Sequence, residues 1–406
     1  MTKPSFNPAI EALSPPPVPA VQGWASAYSG RHGPLLDLSQ AVPGYPPHPD
    51  LLRWLSEAAG STAGAGYGPI EGDDSLRQAY ADHVSILYGA LIGMGNVHIT
   101  AGCNQAFVAA VLAVAGAGDK VLLTNPFYFN HDTSLAMLGI RTGRVDCRAE
   151  DGFLPMPDAV EAGIGSGVKA LALVSPNNPT GAVYPSGLLE TLFDLCRRRG
   201  IWLILDETYR DFLPPDRQPA HRLFSVPGWE EGLIQLYSFS KSFCIPGHRL
   251  GAITAGKETI RAIAKIMDNL QICAPRPPQA AIARALPALG EWRLANAVEI
   301  LRRAEALKKT MEGVEEWEIG AVGAYFAYIR HPFRGTASSE VAEKLASEAG
   351  IVCIPGDYFG SGQQDYLRFA FANADSGTIR LLRHRLMNFH CKKSQARCAN
   401  SATTAS

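Results

Sequence analysis

Four short apolar runs constrain the fold of this chain more than any other feature. Val121–Leu123, Ala170–Val174, Trp202–Leu205 and Leu233–Tyr237 are almost uninterrupted by polar residues. A half-buried strand alternates apolar and polar side chains. A strand covered on both faces reads instead as one continuous apolar run, the pattern of a parallel sheet. Helical patterns lie between the runs, the clearest over Ser186–Arg199. There Leu188, Leu189, Leu192, Phe193 and Cys196 form one apolar stripe, Arg197, Arg198 and Arg199 suit the negative end of the helix dipole, and Gly200 ends the helix. Ser186 is expected to cap it, with Glu190 in the first turn. Strand–helix–strand order of this kind predicts an α/β fold with a mainly parallel sheet flanked by helices. After Leu286 the texture changes. A charged helical pattern over Glu291–Glu312, a strand at Ala324–Ile329, a helix at Ser339–Glu348 and a strand at Ile351–Ile354 predict a smaller α+β domain.

Composition excludes several classes of function. The 37 lysines and arginines nearly balance 38 acidic residues, for a net charge of −1. A protein that binds nucleic acid or a membrane surface electrostatically would carry a basic excess, so neither partner is expected. No run reaches the ~20 apolar residues of a membrane span. The eight cysteines form no CxxC pair, which argues against a zinc site or a redox dithiol and suits reduced thiols in a cytoplasmic protein. No metal is expected. Residues 1–36 lack the apolar core of a signal peptide and read as a proline-rich arm without regular structure. Cys391–Ser406 reads as a flexible tail.

Four segments carry chemistry. In Ser238-Phe-Ser-Lys241-Ser-Phe-Cys-Ile-Pro-Gly-His-Arg249-Leu-Gly251, a lysine follows an apolar strand, and no acid within the segment pairs with it. Placed near other cations or apolar groups, such a lysine has a depressed pKa and its neutral amine can form a Schiff base with an aldehyde; an exposed lysine at a strand end, with a structural arginine, reads the same way. Arg249 has the fork geometry for a phosphate. In Leu203-Ile-Leu-Asp206-Glu-Thr-Tyr209, a strand delivers an acid at its carboxyl end, where open α/β sheets bind ligands. A plain helix-capping aspartate reads the same way. Val174-Ser-Pro-Asn-Asn178-Pro-Thr-Gly181 is turn chemistry at a strand end, with Asn178 a candidate ligand contact. Thr100-Ala-Gly102-Cys103-Asn104-Gln105 opens an apolar helix, whose free N–H groups suit an anion.

In this order and combination the segments resemble the class I/II aminotransferase family of pyridoxal 5′-phosphate enzymes, over about Asp37 to Phe371. The resemblance implies a large domain with a mainly parallel seven-stranded sheet over residues 37–286, whose first residues belong partly to a small domain over 287–390. It implies that Lys241 forms a Schiff base with the cofactor and shuttles protons, and that Asp206 holds the pyridine nitrogen protonated. Asn178 and Tyr209 would bond the ring's phenolic oxygen. Tyr128 would stack on the ring, and His131 would stand behind Asp206. Gly102, Cys103, Asn104, Ser238 and Arg249 would surround the phosphate. Tyr67 would reach the phosphate of a neighbouring subunit, making a homodimer with shared sites. Arg368 would bind the substrate α-carboxylate.

The implied reaction moves an amino group from an L-amino acid to a 2-oxo acid by a ping-pong route. A lyase or synthase on the same scaffold is the alternative, and a non-catalytic relative is a more distant one. Two departures from the family pattern stand out. Cys103 replaces a frequent hydroxyl residue, and Arg276 is the sole candidate for a second carboxylate-binding arginine.

Overall fold

The computed structural model describes residues 4–391. In chain order its strands are β1 (Leu36–Asp37), β2 (Val97–Thr100), β3 (Lys120–Asn125), β4 (Arg141–Asp146), β5 (Val168–Val174), β6 (Trp202–Asp206), β7 (Leu233–Ser238), β8 (Gly251–Ala255), β9 (Glu318–Gly323), β10 (Phe326–Arg330), β11 (Ile351–Val352), β12 (Ile354–Pro355) and β13 (Tyr366–Phe369). Its α-helices are α1 (Pro8–Glu11), α2 (Pro17–Trp24), α3 (Pro49–Ala59), α4 (Thr62–Ala65), α5 (Asp74–Tyr88), α6 (Cys103–Val114), α7 (Phe129–Met137), α8 (Pro157–Gly163), α9 (Ser186–Arg199), α10 (Phe239–Ser242), α11 (Lys257–Leu270), α12 (Arg276–Ala288), α13 (Gly290–Met311), α14 (Ser338–Lys344) and α15 (Ser376–Met387).

Seven strands form one sheet in the order β2-β8-β7-β6-β5-β3-β4. The five from β7 to β4 run parallel, and β8 runs antiparallel to both its neighbours. The continuous apolar runs are explained by two covered faces. Ala170 and Ala172 of β5 pack on the side of α6 and α11, whereas Leu171 and Leu173 pack on the side of α5, α9 and α12. Each face removes about 25 cal/mol per Å² of apolar surface from water, so a polar residue on either side would be costly. The polar edge strand β4 escaped the sequence reading because only one of its six residues is buried.

A second sheet, β12-β13-β10-β9, is antiparallel and packs with α13 and α15. The first strand joins neither of these sheets: β1 pairs in parallel with β11, Leu36 opposite Ile351, as a separate two-stranded sheet.

The structure corrects several details. The proline-rich arm contains regular structure, since Pro8 and Pro17 sit at the first positions of α1 and α2. A proline there loses no helical hydrogen bond. Ser186 does not cap α9. Pro185 occupies the cap position, and the Ser186 hydroxyl donates to Glu190 at 2.9 Å instead. The strand expected at Ala324–Ile329 starts at Phe326, because Ala324 sits at φ 46° in the hairpin turn. The helix expected at Ser339–Glu348 is α14 followed by a π-helical turn over Leu345–Ala349. The strand expected at Ile351–Ile354 breaks at Cys353, and its halves join different sheets. Apart from Cys391, the tail lies outside the described residues.

Candidate active site

The carboxyl ends of β5, β6 and β7 converge on one cavity of ≈ 330 Å³. Asp206 closes β6 and is 5% exposed. Its Oδ1 accepts from the backbone N–H of Thr208 at 2.9 Å and from the Thr208 hydroxyl at 2.7 Å. Its Oδ2 lies 3.5 Å from His131 Nε2, and that imidazole is stacked on Phe107 at 3.8 Å. The carboxylate is therefore fixed in orientation while one edge stays open to the cavity.

β7 runs directly into α10, a single helical turn capped by Ser238, whose hydroxyl oxygen accepts from Ser240 N–H at 3.3 Å. Lys241 projects from this turn into the cavity. Its Nζ donates to the carbonyl of Ala41 at 2.5 Å, and no carboxylate pairs with it among the described residues. Burial, with Arg249 and Arg368 nearby, lowers its pKa to about 8. Desolvation and like charge both penalise the ammonium, so the depression has two physical sources.

The turn after β5 splits its two asparagines between two tasks. Asn177 builds the turn: its Nδ2 donates to Tyr184 Oη at 3.1 Å, and its Oδ1 accepts from the N–H and hydroxyl of Thr180 at 3.1 and 2.8 Å. Asn178 is thereby left facing the cavity. Gly181 must be glycine. It has φ +80°, and a Cβ there would strike the carbonyl of Phe326 and lie 2.5 Å from the N–H of Gly323.

Arg368 reaches the cavity from β13, opposite Tyr328 of β10. It is 3% exposed, yet no carboxylate pairs with it among the described residues. Nη1 donates to Asn178 Oδ1 at 2.9 Å, Nη2 donates to the carbonyl of Ser39 at 2.5 Å, and Nε has no partner. Burial lowers its pKa to about 10. A buried guanidinium held only by neutral acceptors favours an incoming carboxylate, which satisfies the fork with two charge-assisted bonds.

The opposite end of the cavity is built for an anion. α6 starts at Cys103, and its first N–H groups have no partner within the helix. Gly102 precedes them at φ +86°, and a Cβ there would strike the Arg249 guanidinium. Arg249 is exposed at the rim and donates to the Pro246 carbonyl at 2.9 Å. Asn104 is exposed beside it. Burial pushes the Cys103 thiol well above its ordinary pKa, so it stays a neutral side chain and not a reactive thiolate. Tyr209 is buried against Tyr325 and Phe326, and burial holds its phenol protonated. Tyr128 accepts from Asn130 Nδ2 at 2.9 Å, with its phenol pushed up to about 12 by burial.

Ten of the twelve predicted site residues line this one cavity: Cys103, Asn104, Tyr128, Asn178, Asp206, Tyr209, Ser238, Lys241, Arg249 and Arg368. Gly102 does not line it but packs against Arg249, which does. Tyr67 is not brought in; it lies outside the cavity and is 80% exposed. Arg276 is also elsewhere, paired with Asp73 at 3.2 Å. The sequence reading missed the loop of Ser39 and Ala41, whose carbonyls hold the two cations, and Val18 of α2, which lines the mouth. Carbonyl acceptors leave no trace in side-chain chemistry. Thr208 was missed as well, although an aspartate two residues before a threonine is a common local hydrogen-bonding pattern that could have pointed to it. Among the described residues no group of side chains is arranged to hold a metal, and no helix is long and apolar enough to cross a membrane.

Comparisons with known proteins relate the chain to aminotransferases. The family model described as aminotransferase class I and II matches residues 34–386. The aromatic aminotransferase ISS1 of Arabidopsis thaliana is 29% identical over 358 residues, covering 86% of this chain and 88% of that protein. An aspartate aminotransferase of Pyrococcus horikoshii is 28% identical over 341 residues, covering 81% and 85%. A solved structure of a Thermus thermophilus aspartate aminotransferase mutant shares the fold, with a TM-score of 0.86 at 24% identity, over 95% of this chain and 99% of that one.

Proposed function

The chain belongs to the class I and II aminotransferase family, and on that premise we propose that its cavity transfers an amino group from an L-amino acid to a 2-oxo acid with pyridoxal 5′-phosphate as cofactor. The observation that carries this reading is a single one. An amine of depressed pKa, a buried carboxylate and a buried arginine without a carboxylate partner share one cavity. The named relatives are aminotransferases, which favours transamination over elimination.

The residues present fit the cofactor. The start of α6, Ser238 and Arg249 would hold its phosphate. Asp206 would face the ring nitrogen, Asn178 and Tyr209 the phenolic oxygen, and Tyr128 the ring face. When bound, the cofactor supplies an electron sink for charge that develops at the substrate Cα. The protein's own groups do the rest. Asp206, oriented by Thr208, presents fixed negative charge where a protonated nitrogen needs it. Lys241 holds or moves the proton at Cα. With a pKa of about 8, about a tenth of the amine is neutral at pH 7, against fewer than about one in a thousand at an ordinary lysine. Arg368 would grip the α-carboxylate and so orient the Cα–H bond, displacing the carbonyl of Ser39 or the amide of Asn178.

The substrate side chain and the assembly belong to the same proposal. Val18, Val42 and Phe129 line the cavity beside Tyr128, which supports an apolar or aromatic donor. The exposed Asn104 and Arg249 at the phosphate end support a homodimer in which the partner's Tyr67 covers that rim. The test is a panel of single L-amino acids with 2-oxoglutarate or pyruvate. A new amino acid from the acceptor establishes transamination. Pyruvate and ammonia released without an acceptor would replace it with elimination.

A further inference from the structure

The segment after β6 has two sides. Asp206 and Tyr209 face the cavity, while Glu207, Arg210 and Asp211 face the interior behind it. Glu207 is 1% exposed, and its Oε2 accepts from Tyr88 Oη at 2.7 Å and from Gln235 Nε2 at 2.5 Å, with His221 Nε2 at 3.3 Å. Arg210 lies over the ring of Tyr237 at 4.1 Å and donates to Tyr80 Oη at 3.2 Å. Asp211 accepts from the Tyr237 hydroxyl at 2.5 Å, with Arg293 4.0 Å away. The same tyrosine oxygen lies 2.6 Å from Ser242 Oγ.

Direction follows from proton counting. Burial pushes the Tyr237 phenol well above its ordinary pKa, so it keeps its one proton. That proton goes to Asp211, kept ionised beside Arg210 and Arg293 and so able only to accept, and Tyr237 must then accept from Ser242. The chain therefore runs Ser242 to Tyr237 to Asp211. Its two ends lie on different sides of the site. Ser242 neighbours Lys241 on α10, and Asp211 lies two residues beyond Tyr209. A four-residue helix cannot maintain itself by its own hydrogen bonds, so α10 depends on tertiary anchors.

We propose that Tyr237 is a positioning residue for Lys241, its hydroxyl tying the turn that carries the lysine to the strand-end loop that carries Asp206 and Tyr209. The proposal rests on the reading of Lys241 given above. It adds that the lysine's placement against Arg249, Arg368 and the Ala41 carbonyl is set from behind the cavity.

The test titrates Lys241 by competitive acetylation and peptide mass spectrometry in the full-length, cofactor-free protein. Wild type is compared with Tyr237→Phe and Ser242→Ala. The phenylalanine keeps the ring under Arg210, and Ser242→Ala breaks only the Ser242–Tyr237 link, so it decides the matter if the first variant does not fold. Loosening α10 moves the amine away from its neighbouring cations and toward water, so its titration shifts upward, by about half a pH unit or more. In the cofactor-loaded enzyme kcat falls about tenfold while KM for the donor stays unchanged. A Lys241 titration unmoved in either folded variant overturns the proposal, whatever happens to the melting temperature. Borohydride reduction of loaded wild type separates this from the underlying reading: cofactor mass found on a lysine other than Lys241 overturns both.

Discussion

Replacing Lys241 with methionine should make the cofactor-free protein more stable while abolishing its chemistry. The amine titrates at about 8 in the fold against an ordinary 10.5. A folded pKa below the unfolded one means that the unfolded chain binds the proton more tightly. The charged form therefore costs stability in full below pH 8, and the cost fades between pH 8 and 10.5. That difference corresponds to about 3 kcal/mol at pH 7. Methionine has similar length and no charge, but it forfeits the hydrogen bond to Ala41, worth about 1 kcal/mol. The net expectation is a gain of about 2 kcal/mol. Equilibrium urea unfolding of both cofactor-free proteins, at one protein concentration, measures it at pH 7 and again at pH 10.5. The gap should close or reverse at the higher pH, where the folded lysine is neutral and the unfolded one half neutral, so that most of the charge cost is gone. A methionine variant no more stable at pH 7, or one whose advantage is independent of pH, would refute the reasoning. A gain of this kind is the usual signature of a group held where function needs it and folding does not.

Three further outcomes follow from the geometry. Arg368→Lys keeps the charge but loses the fork, and should lower kcat/KM for the amino acid about 100-fold by steady-state assay; retention of wild-type kcat/KM would remove Arg368 from the site. Asp206→Asn keeps an oxygen for Thr208 and so should fold normally, yet kcat should drop by about 10²- to 10³-fold because the fixed charge is gone. A near-native kcat would contradict the role given to the carboxylate. Gly181→Ala should cost about 3 kcal/mol in urea unfolding, through its positive φ and the approach of Phe326 and Gly323; an unchanged midpoint would show that the turn yields.

The sequence displayed the groups that do chemistry more clearly than the scaffold that aims them. Asp206 and Lys241 were legible because each ends or follows an apolar strand, and strand ends are where α/β sheets bind ligands. Arg368 and Tyr128 emerged only from family resemblance, since one arginine among many has no local signature. The parallel sheet was legible at β5, β6 and β7, where both faces are buried, and illegible at the polar edge strand β4. Helices α1 and α2 were missed because proline was weighed as a breaker and not as a first helical residue. The contacts of Ser39 and Ala41 were unreadable for a deeper reason. They are made by backbone carbonyls, which every residue possesses, and only the three-dimensional path of the chain selects them.

That path has a consequence for how the protein is made. Most of the long-range bonds of residues 32–41 go to residues 350–385. Arg385 donates to the carbonyls of His32 and Pro34, Leu36 pairs with Ile351, Ala370 N–H donates to the carbonyl of Leu38, and Arg368 donates to that of Ser39, 329 positions earlier. On the ribosome residues 32–41 therefore emerge long before these partners do. The seven-stranded sheet, complete at Ala255, has all its strands before the segment can dock. Closure of the cavity thus waits for synthesis of residues 350–385. A chain interrupted before residue 368 would carry Asp206 and Lys241 on a finished sheet, yet have neither the arginine nor the docked carbonyls that complete the site.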